Sequence, residues 1–193
     1  KTGMTPAYDY PQAVYTAQPR LTEADFKLPS TGAWWYDGSN PSVDRALTLG
    51  RLITNAGSSV KALMAETAQV NGKFPANQAS FNNFANTYLD PIWESLHGTE
   101  GGGYMYGGLK PGAWNDGAYG VTTVAKDDPD RQYIHVLTPP STSTLRIRDN
   151  GYRIASVTDL RTGKAVAWSQ SGGVLTLTGL GDWDPYDTVF KVT

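Results

Sequence analysis

The chain contains no cysteine among its 193 residues. Disulfide bonds, thiolate catalysis and zinc–thiolate sites are therefore excluded. Histidine occurs only twice, as His97 and His135, so neither a histidine-rich metal centre nor a Ser-His-Asp triad is expected. The lack of cysteine fits exported and cytosolic proteins equally, so it does not decide the compartment.

An excess of basic charge is also missing. The formal net charge is -2, whereas a surface for nucleic acid or anionic membrane requires clustered positive charge. No stretch approaches the roughly 18 consecutive apolar residues of a membrane-spanning helix. We therefore expect no nucleic-acid partner and no membrane span.

Aromatic residues, in contrast, are abundant. The sequence has 6 tryptophans and 11 tyrosines beside few charged residues. Their ring faces suit stacking against sugar rings, but the same side chains also fill the cores of β-sandwiches. Both interpretations stay open for each aromatic residue at this point.

The pattern of predicted helices and strands changes near residue 115. Before that point strand-like runs alternate with helical ones, which is typical of βα units and a parallel sheet. After it come short strands separated by turn residues, which predict an antiparallel sandwich. We therefore predict βα units over residues 1–115 and a β-sandwich over residues 116–193. The front region holds too few βα units to close a barrel, so we expect the chain to be the tail end of something larger.

The front region is predicted to contain a strand at 60–65 between two helices, at 42–55 and 80–96. One further short strand is expected in the leading segment rich in Pro, Thr and Ala. Pro91 falls inside the second helix and removes a backbone hydrogen bond, so a kink or restart is expected there. A glycine-rich connector follows over 98–118.

The back region is predicted to be all strand. Side chains alternate along residues 133–138 and 145–148, which is typical of half-buried strands. His135 follows this alternation into the sheet and is expected to be packed rather than to bind a ligand. Turn residues separate the predicted strands, which lie at 119–125, 131–138, 144–149, 152–159, 164–170, 173–178 and 187–193.

Several short motifs occur in a recognisable order. They are Trp34-Trp35-Tyr36, a helix, Leu63-Met64 running to Asn71-Gly72, His97-Gly98-Thr99, and then, in the back region, residues 133–137, 173–177 and 184–189. In this order they resemble the C-terminal half of family 29 glycoside hydrolases, the α-L-fucosidases. The resemblance implies the last part of a (β/α)8-like barrel followed by a β-sandwich. It also implies fucosylated glycans as the carbohydrate partner.

The sequence departs from that family at several positions. Trp35 stands where the family's Trp-Gly-Tyr element has glycine, and residues 65–68 replace a strand end that usually carries asparagine. The nucleophilic aspartate of such enzymes lies on an earlier barrel strand, upstream of anything present here. The resemblance therefore implies that the isolated chain is inactive unless a companion N-terminal chain or segment completes the barrel.

Three carboxylates are candidates for catalysis. In the family the acid/base residue sits about a dozen residues before the aromatic element, and that window holds Glu23 and Asp25 here. A glycosidase acid must have its pKa raised by burial or by a second carboxylate, and a solvated loop is the alternative for both. Glu66 lies just past the end of a predicted strand, where barrel enzymes gather their site residues; a salt-bridged loop residue is its alternative.

Trp34, Trp35 and Tyr36 are the substrate-binding candidates, because they follow a predicted strand end. Packing between barrel and sandwich is their alternative role. The aspartates at 127–130 and 182–184 lack the spacing of a calcium loop, so neither a metal site nor a cofactor is predicted. Trp114, Trp168 and Trp183 are expected to be structural.

The leading interpretation is the C-terminal part of an α-L-fucosidase-like glycoside hydrolase. The alternative is a non-catalytic carbohydrate-binding or adhesion module derived from such an enzyme, which the replaced motif positions favour. A purely structural sandwich domain is a third possibility. A secreted or extracytoplasmic location is expected.

Overall fold

A computed structural model describes residues 23–29, 32–105, 119–149 and 152–193. Over these ranges the chain is mostly β-strand, with two α-helices and one 3₁₀ helix. The helices are α1 (Arg45–Gly57), α2 (Ala76–Leu89) and the 3₁₀ helix (Asp90–Ser95). The strands are β1 (Glu23–Lys27), β2 (Lys61–Ala65), β3 (Thr99–Met105), β4 (Gly120–Ala125), β5 (Gln132–Val136), β6 (Thr144–Arg148), β7 (Val157–Asp159), β8 (Ala167–Ser171), β9 (Val174–Thr178) and β10 (Thr188–Val192).

Strands β1 and β2 form a two-stranded parallel sheet. This matches the predicted parallel pairing and the short strand expected in the leading segment. Apolar side chains of the helices cover one face of the pair, where Leu49, Ile53 and Phe81 form a core with Leu28 and Met64. Burial of these side chains is the main stabilising contribution to this layer.

The helix ends are set by local chemistry. The α1 helix begins after Asp44, whose carboxylate accepts a hydrogen bond from the Leu47 amide at 3.0 Å and caps the helix. The predicted helix began at residue 42, two residues before this cap. The restart predicted at Pro91 is confirmed, because α2 gives way there to the 3₁₀ helix with proline in its first turn. No helix in the described part of the chain is long and apolar enough to cross a membrane.

The back region is an antiparallel sandwich, as predicted. A five-stranded sheet in the order β3-β4-β5-β10-β7 faces a three-stranded sheet in the order β6-β9-β8. The core between them contains side chains from both sheets, among them Ile134, Val136 and Phe190 on one side and Leu145 and Leu177 on the other. Because both sheets contribute, this core needs no other part of the chain to close it.

The five-stranded sheet is covered on its second face as well. Ile92 of the 3₁₀ helix packs there against Ala125, Tyr133 and Val189. Strand β5 is consequently buried along both faces, whereas its alternating sequence predicted a half-buried strand. The helical layer explains the difference, since it shields the face that alternation alone assigns to solvent.

Strand β3 lies in the segment predicted to be a glycine-rich connector. It pairs with β4 in antiparallel fashion, with an irregular register between Gly101 and Gly103. A Cβ added at Gly101 would lie 2.4 Å from the carbonyl oxygen of Gly57, so glycine permits the end of α1 to rest directly on the strand. The rest of that connector, and the predicted division at residue 115, lie outside the described residues, so the division stays a prediction.

Candidate functional site

One face of the β1–β2 sheet is exposed. Glu23 and Asp25 on β1, and Leu63 on β2, lie on the exposed side, while Phe26 and Met64 point toward the helices. The register pairs Asp25 with Leu63, so a carboxylate and an apolar side chain stand next to each other. Leu63 keeps 45% of its surface exposed, which is unusual for a side chain of a parallel sheet.

The predicted aromatic element lies beyond the carboxyl end of β1. Trp34 and Trp35 are 50% and 74% exposed, and Tyr36 is half-buried. The ammonium group of Lys27 lies 5.8 Å from the centroid of the Trp34 ring and donates a hydrogen bond to the Gly32 carbonyl. Two large aromatic faces therefore remain available at this end of the sheet, as stacking against a ligand would require.

The loops after β1 and β2 meet at the same edge, because parallel strands end on the same side of a sheet. The backbone amide of Asn77, at the start of α2, donates to the side-chain oxygen of Asn40 at 2.9 Å. The Asn77 side chain donates in return to the Asn40 carbonyl at 2.8 Å. Phe74, which is 44% exposed, lies in this second loop. The two asparagines therefore hold the aromatic loop beside the beginning of α2.

Glu66 is held toward helix α2. Both of its carboxylate oxygens accept hydrogen bonds from the Asn82 side-chain amide, at 3.1 and 3.0 Å. The next residue, Thr67, is fixed by the fully buried Gln78, which accepts from the Thr67 amide at 2.9 Å and donates to its hydroxyl at 2.6 Å. These contacts orient the loop after β2 and turn Glu66 toward the helical layer.

The three candidate carboxylates stand at different heights along the strands. Lys27 pairs with Ala65, and a strand rises about 3.3 Å per residue, so Glu66 lies about 10 Å beyond Asp25 and about 16 Å beyond Glu23. Glycosidase carboxyl pairs are about 5–5.5 Å apart in retaining enzymes and about 6.5–9.5 Å apart in inverting ones. Within the described residues, Glu66 and Glu23 are not brought together as such a pair. The catalytic roles of all three residues stay predictions.

A second polar constellation is buried in the five-stranded sheet. His135 Nδ1 lies 2.8 Å from Asp187 Oδ2, and His135 Nε2 lies 3.3 Å from the Thr123 hydroxyl. This geometry resembles a nucleophile–base–acid triad, but all three side chains are fully buried. The Thr123 hydroxyl donates to the Ser95 carbonyl at 2.6 Å, so its proton points away from the imidazole. The arrangement therefore ties β4, β5 and the residue before β10 to the 3₁₀ helix and does no nucleophilic chemistry.

Sequence reasoning expected His135 to be packed but did not identify its partner. A histidine within the apolar run of β5 signals that a polar partner must be buried with it, because an unpaired polar group in a core is costly. Asp187 follows a turn and directly precedes the last apolar strand, a position from which a polar side chain can reach the neighbouring strand.

Another polar cluster joins helix α2 to the sandwich. The Tyr88 hydroxyl donates to the Asp184 carboxylate, and the Arg161 guanidinium lies 4.3 Å from the Tyr88 ring centroid. Burial raises the pKa of the Tyr88 hydroxyl, and the neighbouring Asp184 carboxylate raises it further. Asp184 also accepts from the amides of Tyr186 and Asp187, at 2.8 and 3.0 Å. These contacts give Asp184 a structural role in shaping the turn before β10.

Comparison with known proteins gives a likeness of fold. No protein-family model matches the chain, and no curated protein matches it. Among solved structures, an α-L-fucosidase GH29 from Bacteroides thetaiotaomicron matches 89% of this chain with a TM-score of 0.71 and 15% identity, over 37% of its own length. α-L-Fucosidase isoenzyme 1 from Paenibacillus thiaminolyticus matches 89% of this chain with a TM-score of 0.67 and 15% identity, over 39% of its length.

A third similar structure is the α-L-fucosidase from Vibrio sp. strain EJY3. It matches 91% of this chain with a TM-score of 0.70 and 17% identity, over 30% of its own length. The chain thus spans well under half the length of each enzyme it matches. Over about nine-tenths of its residues it has the fold of a segment of these α-L-fucosidases.

Proposed function

We propose that the chain is the C-terminal part of an α-L-fucosidase-like glycoside hydrolase acting on fucosylated glycans. In this proposal residues 1–115 are the last βα units of a (β/α)8-like barrel and residues 116–193 are its C-terminal sandwich. The isolated chain would be catalytically silent. The observation that carries the proposal is the fold likeness, because one alignment extends over 89% of the chain and so includes both regions.

The architecture of the β1–β2 layer supports this assignment. The two strands are parallel, and over the ranges that the structure describes helices cover one of their faces and not the other. In a (β/α)8 barrel the helices surround the strands, and the opposite face points into the barrel. The exposed face that carries Asp25 and Leu63 would then be part of the barrel interior, completed by strands of a companion chain or segment.

The chemistry proposed for the strand ends follows from this placement. Barrel enzymes carry their sites at the carboxyl ends of the strands, where Trp34, Trp35 and Tyr36 would stack against the sugar. Of the two carboxylates on β1, Asp25 lies on the inward face nearer that end, so we favour it over Glu23 as the acid that protonates the leaving oxygen. The nucleophile would come from the companion segment and attack the anomeric carbon. Glu66 would be a further catalytic carboxylate, placed on the side of the site that faces helix α2.

A non-catalytic carbohydrate-binding module is the second candidate function. It is favoured by the replaced motif positions, Trp35 in place of glycine and residues 65–68 in place of the strand end that carries asparagine, while both tryptophans remain exposed. Such a module would keep the exposed aromatic side chains for sugar binding but would lack the carboxylate arrangement needed for acid–base catalysis. Either function fits a secreted or extracytoplasmic protein, since glycans are most abundant there.

The first experiment measures hydrolysis of an aryl α-L-fucoside by the isolated chain and glycan binding on an array. We expect fucosylated glycans to bind without turnover, and Trp34→Ala or Tyr36→Ala to weaken that binding. Trp93→Ala is the matched control, because Trp93 is 51% exposed on the 3₁₀ helix, away from the aromatic loop. Turnover by the isolated chain would contradict the proposal that it is catalytically inactive. Unchanged binding by both site variants would contradict the stacking role proposed for Trp34 and Tyr36.

The second experiment separates enzyme from module. The coding region upstream of Lys1 would encode a barrel-forming segment of about 250 residues if the chain belongs to a whole (β/α)8 enzyme. A longer chain that includes that segment should hydrolyse the fucoside. An unrelated upstream segment, with binding retained, would support the carbohydrate-binding module instead.

A further inference from the structure

A cavity of about 410 Å³ lies in the sandwich, apart from the strand ends of β1 and β2. The turn after β7 forms one wall, and the segment from Thr178 to Trp183 forms the opposite wall. Its size falls within the range of about 300–1,000 Å³ that is typical of small-molecule sites. None of the residues assigned to the fucosidase-like site lines it.

The floor of this cavity is apolar and well supported. Val166 and Leu180 pack against the sandwich core, and Phe190 is 3% exposed within it. The ring of Trp183 meets that of Phe190 edge to face, with centroids 6.3 Å apart. Trp183 therefore has a fixed position and is only partly covered. A rigid aromatic ring above apolar side chains suits the C–H face of a saccharide ring.

Backbone hydrogen bonds hold both walls in place. In the turn after β7, the Asp159 amide donates to the Lys164 carbonyl at 2.8 Å, and the Val166 amide donates to the Val157 carbonyl at 2.9 Å. In the opposite wall, the Leu180 amide donates to the Ser143 carbonyl at 3.0 Å. The cavity is therefore largely preformed, which reduces the entropy lost on binding.

Three charged residues line this cavity. The ammonium group of Lys164 and the carboxylate of Asp182 are exposed, and in the part of the chain that the structure describes neither makes a side-chain hydrogen bond or ion pair. The third, Asp159, lies in the turn after β7, and its carboxylate accepts from the Thr162 amide at 2.8 Å. An ammonium donates to a hydroxyl oxygen, and a carboxylate accepts from a hydroxyl. Lys164 repels a cationic ligand and the two carboxylates repel an anionic one, so the cavity suits a neutral ligand rich in hydroxyl groups.

We propose that this cavity, defined by Lys164, Asp182 and Trp183, is a second carbohydrate-binding site that takes a neutral monosaccharide unit. Trp183 stacks against the sugar ring, Lys164 donates to a ring hydroxyl oxygen and Asp182 accepts from a neighbouring hydroxyl. The site does not depend on catalysis at the β1–β2 strand ends and would hold a glycan chain on the sandwich.

The test is a titration of the full chain, labelled with nitrogen-15, followed at the indole N–H resonance of Trp183, which Trp183→Phe assigns. The probes are L-fucose, D-galactose, D-glucose, D-mannose and N-acetyl-D-glucosamine, with D-glucuronate and D-glucosamine as charged counterparts. We expect at least one neutral sugar to shift this resonance with saturation, and the charged sugars to bind more weakly.

Two exposed substitutions test the polar contacts without disturbing the core. Lys164→Met and Asp182→Asn should each weaken binding about tenfold, because Lys164→Met removes a charged donor and Asp182→Asn replaces a charged acceptor by a neutral one. Lys126→Met and Asp130→Asn, which change exposed residues outside the cavity, should leave binding unchanged. No saturable shift with any neutral sugar, wild-type affinity in both cavity variants, or a preference for a charged sugar would each overturn the proposal.

Discussion

The sandwich and the β1–β2 layer differ in how completely their own residues cover them. The two sheets of the sandwich share a core, and the five-stranded sheet is covered on its outer face by helices as well. Among the described residues, the β1–β2 sheet is covered on one face by the helices, and Leu63 is 45% exposed on the other face. Within the described residues, the two sheets of the sandwich therefore cover each other, whereas the parallel layer leaves one face open.

The two regions are nevertheless joined through the helices. Tyr88 of α2 bonds to Asp184 before β10, and Lys191 of β10 forms an ion pair with Glu94 of the 3₁₀ helix at 2.9 Å. The exposed ion pair contributes little to stability, so the buried contacts are what hold the two regions together. The helical layer therefore contributes to the cores of both regions, whereas the open face of β1–β2 lies on the side of the sheet away from it.

The largest expected effect is on the sandwich side, at the buried pair of His135 and Asp187. Asp187→Ala leaves the imidazole without its partner in the core, and the loss of one member of a buried pair costs about 3–5 kcal/mol. Urea unfolding of the variant measures this loss. Asp130→Ala, at an exposed turn, should change the free energy of unfolding by less than about 0.5 kcal/mol. Equal effects of the two substitutions would contradict the account of the pair.

The next prediction compares one leucine from each region. Leu177→Ala opens a cavity in the fully buried sandwich core and should cost about 2–5 kcal/mol. Leu63→Ala, on the open face of β2, should change the free energy of unfolding by less than about 0.5 kcal/mol. Denaturant unfolding of both variants checks this. A large loss of unfolding free energy in Leu63→Ala would show that other residues cover the open face, and it would contradict the difference between the two regions.

The junction at Tyr88 predicts a dependence on pH. Burial and the Asp184 carboxylate raise the pKa of the Tyr88 hydroxyl, so the folded chain keeps this proton where the unfolded chain has lost it. The stabilising contribution is complete below about pH 10, the ordinary tyrosine pKa, and falls as the pH rises above it. Tyr88→Phe should cost about 1.5–3 kcal/mol at neutral pH through the lost hydrogen bond to a charged group.

The same variant separates Tyr88 from the other titrating groups. Burial also raises the pKa of Tyr133, but Tyr133 is present in both proteins. Thermal unfolding from pH 8 to pH 11 should therefore show a steeper loss of stability in the wild type than in Tyr88→Phe. Parallel profiles would mean that the hydroxyl has no raised pKa in the folded chain.

The smallest expected effect concerns the contact between α1 and the sandwich. A Cβ at Gly57 would lie 2.3 Å from Val121 Cβ, so Gly57→Ala should cost about 1–3 kcal/mol by overpacking. Gly181→Ala is the matched control, because its Cβ would meet no atom within 4 Å. Both are measured by thermal unfolding. A Gly57→Ala variant as stable as the control would show that α1 does not rest on β4.

Periodicity and turn residues predicted most of the fold. The strand predicted at 60–65 became β2, the helix predicted at 42–55 became α1, and Pro91 marked the change to the 3₁₀ helix. Strand β3 was missed because glycine has no side chain to show an alternating pattern, and its role depends on the approach of Gly57. The burial of both faces of β5 was missed because alternation within one strand does not reveal a second covering layer.

The candidate site was predictable only in part. Sequence order placed Trp34 and Trp35 after a strand, and the structure leaves both exposed there. The relative positions of Asp25 and Glu66 along the strands depend on the register of β1 with β2. The orientation of the Glu66 side chain depends on its hydrogen bonds with Asn82. Register and long-range hydrogen bonds arise from tertiary packing, which local spacing does not encode.

Amide hydrogen exchange of the 193-residue chain tests the contrast between the two regions most directly. The account predicts that amides of β1 and β2 exchange through low-energy local openings, whereas those of β5 and β10 exchange only through global unfolding. Exchange of all four strands with the same free energy of opening would contradict it, because the β1–β2 layer would then be as complete as the sandwich.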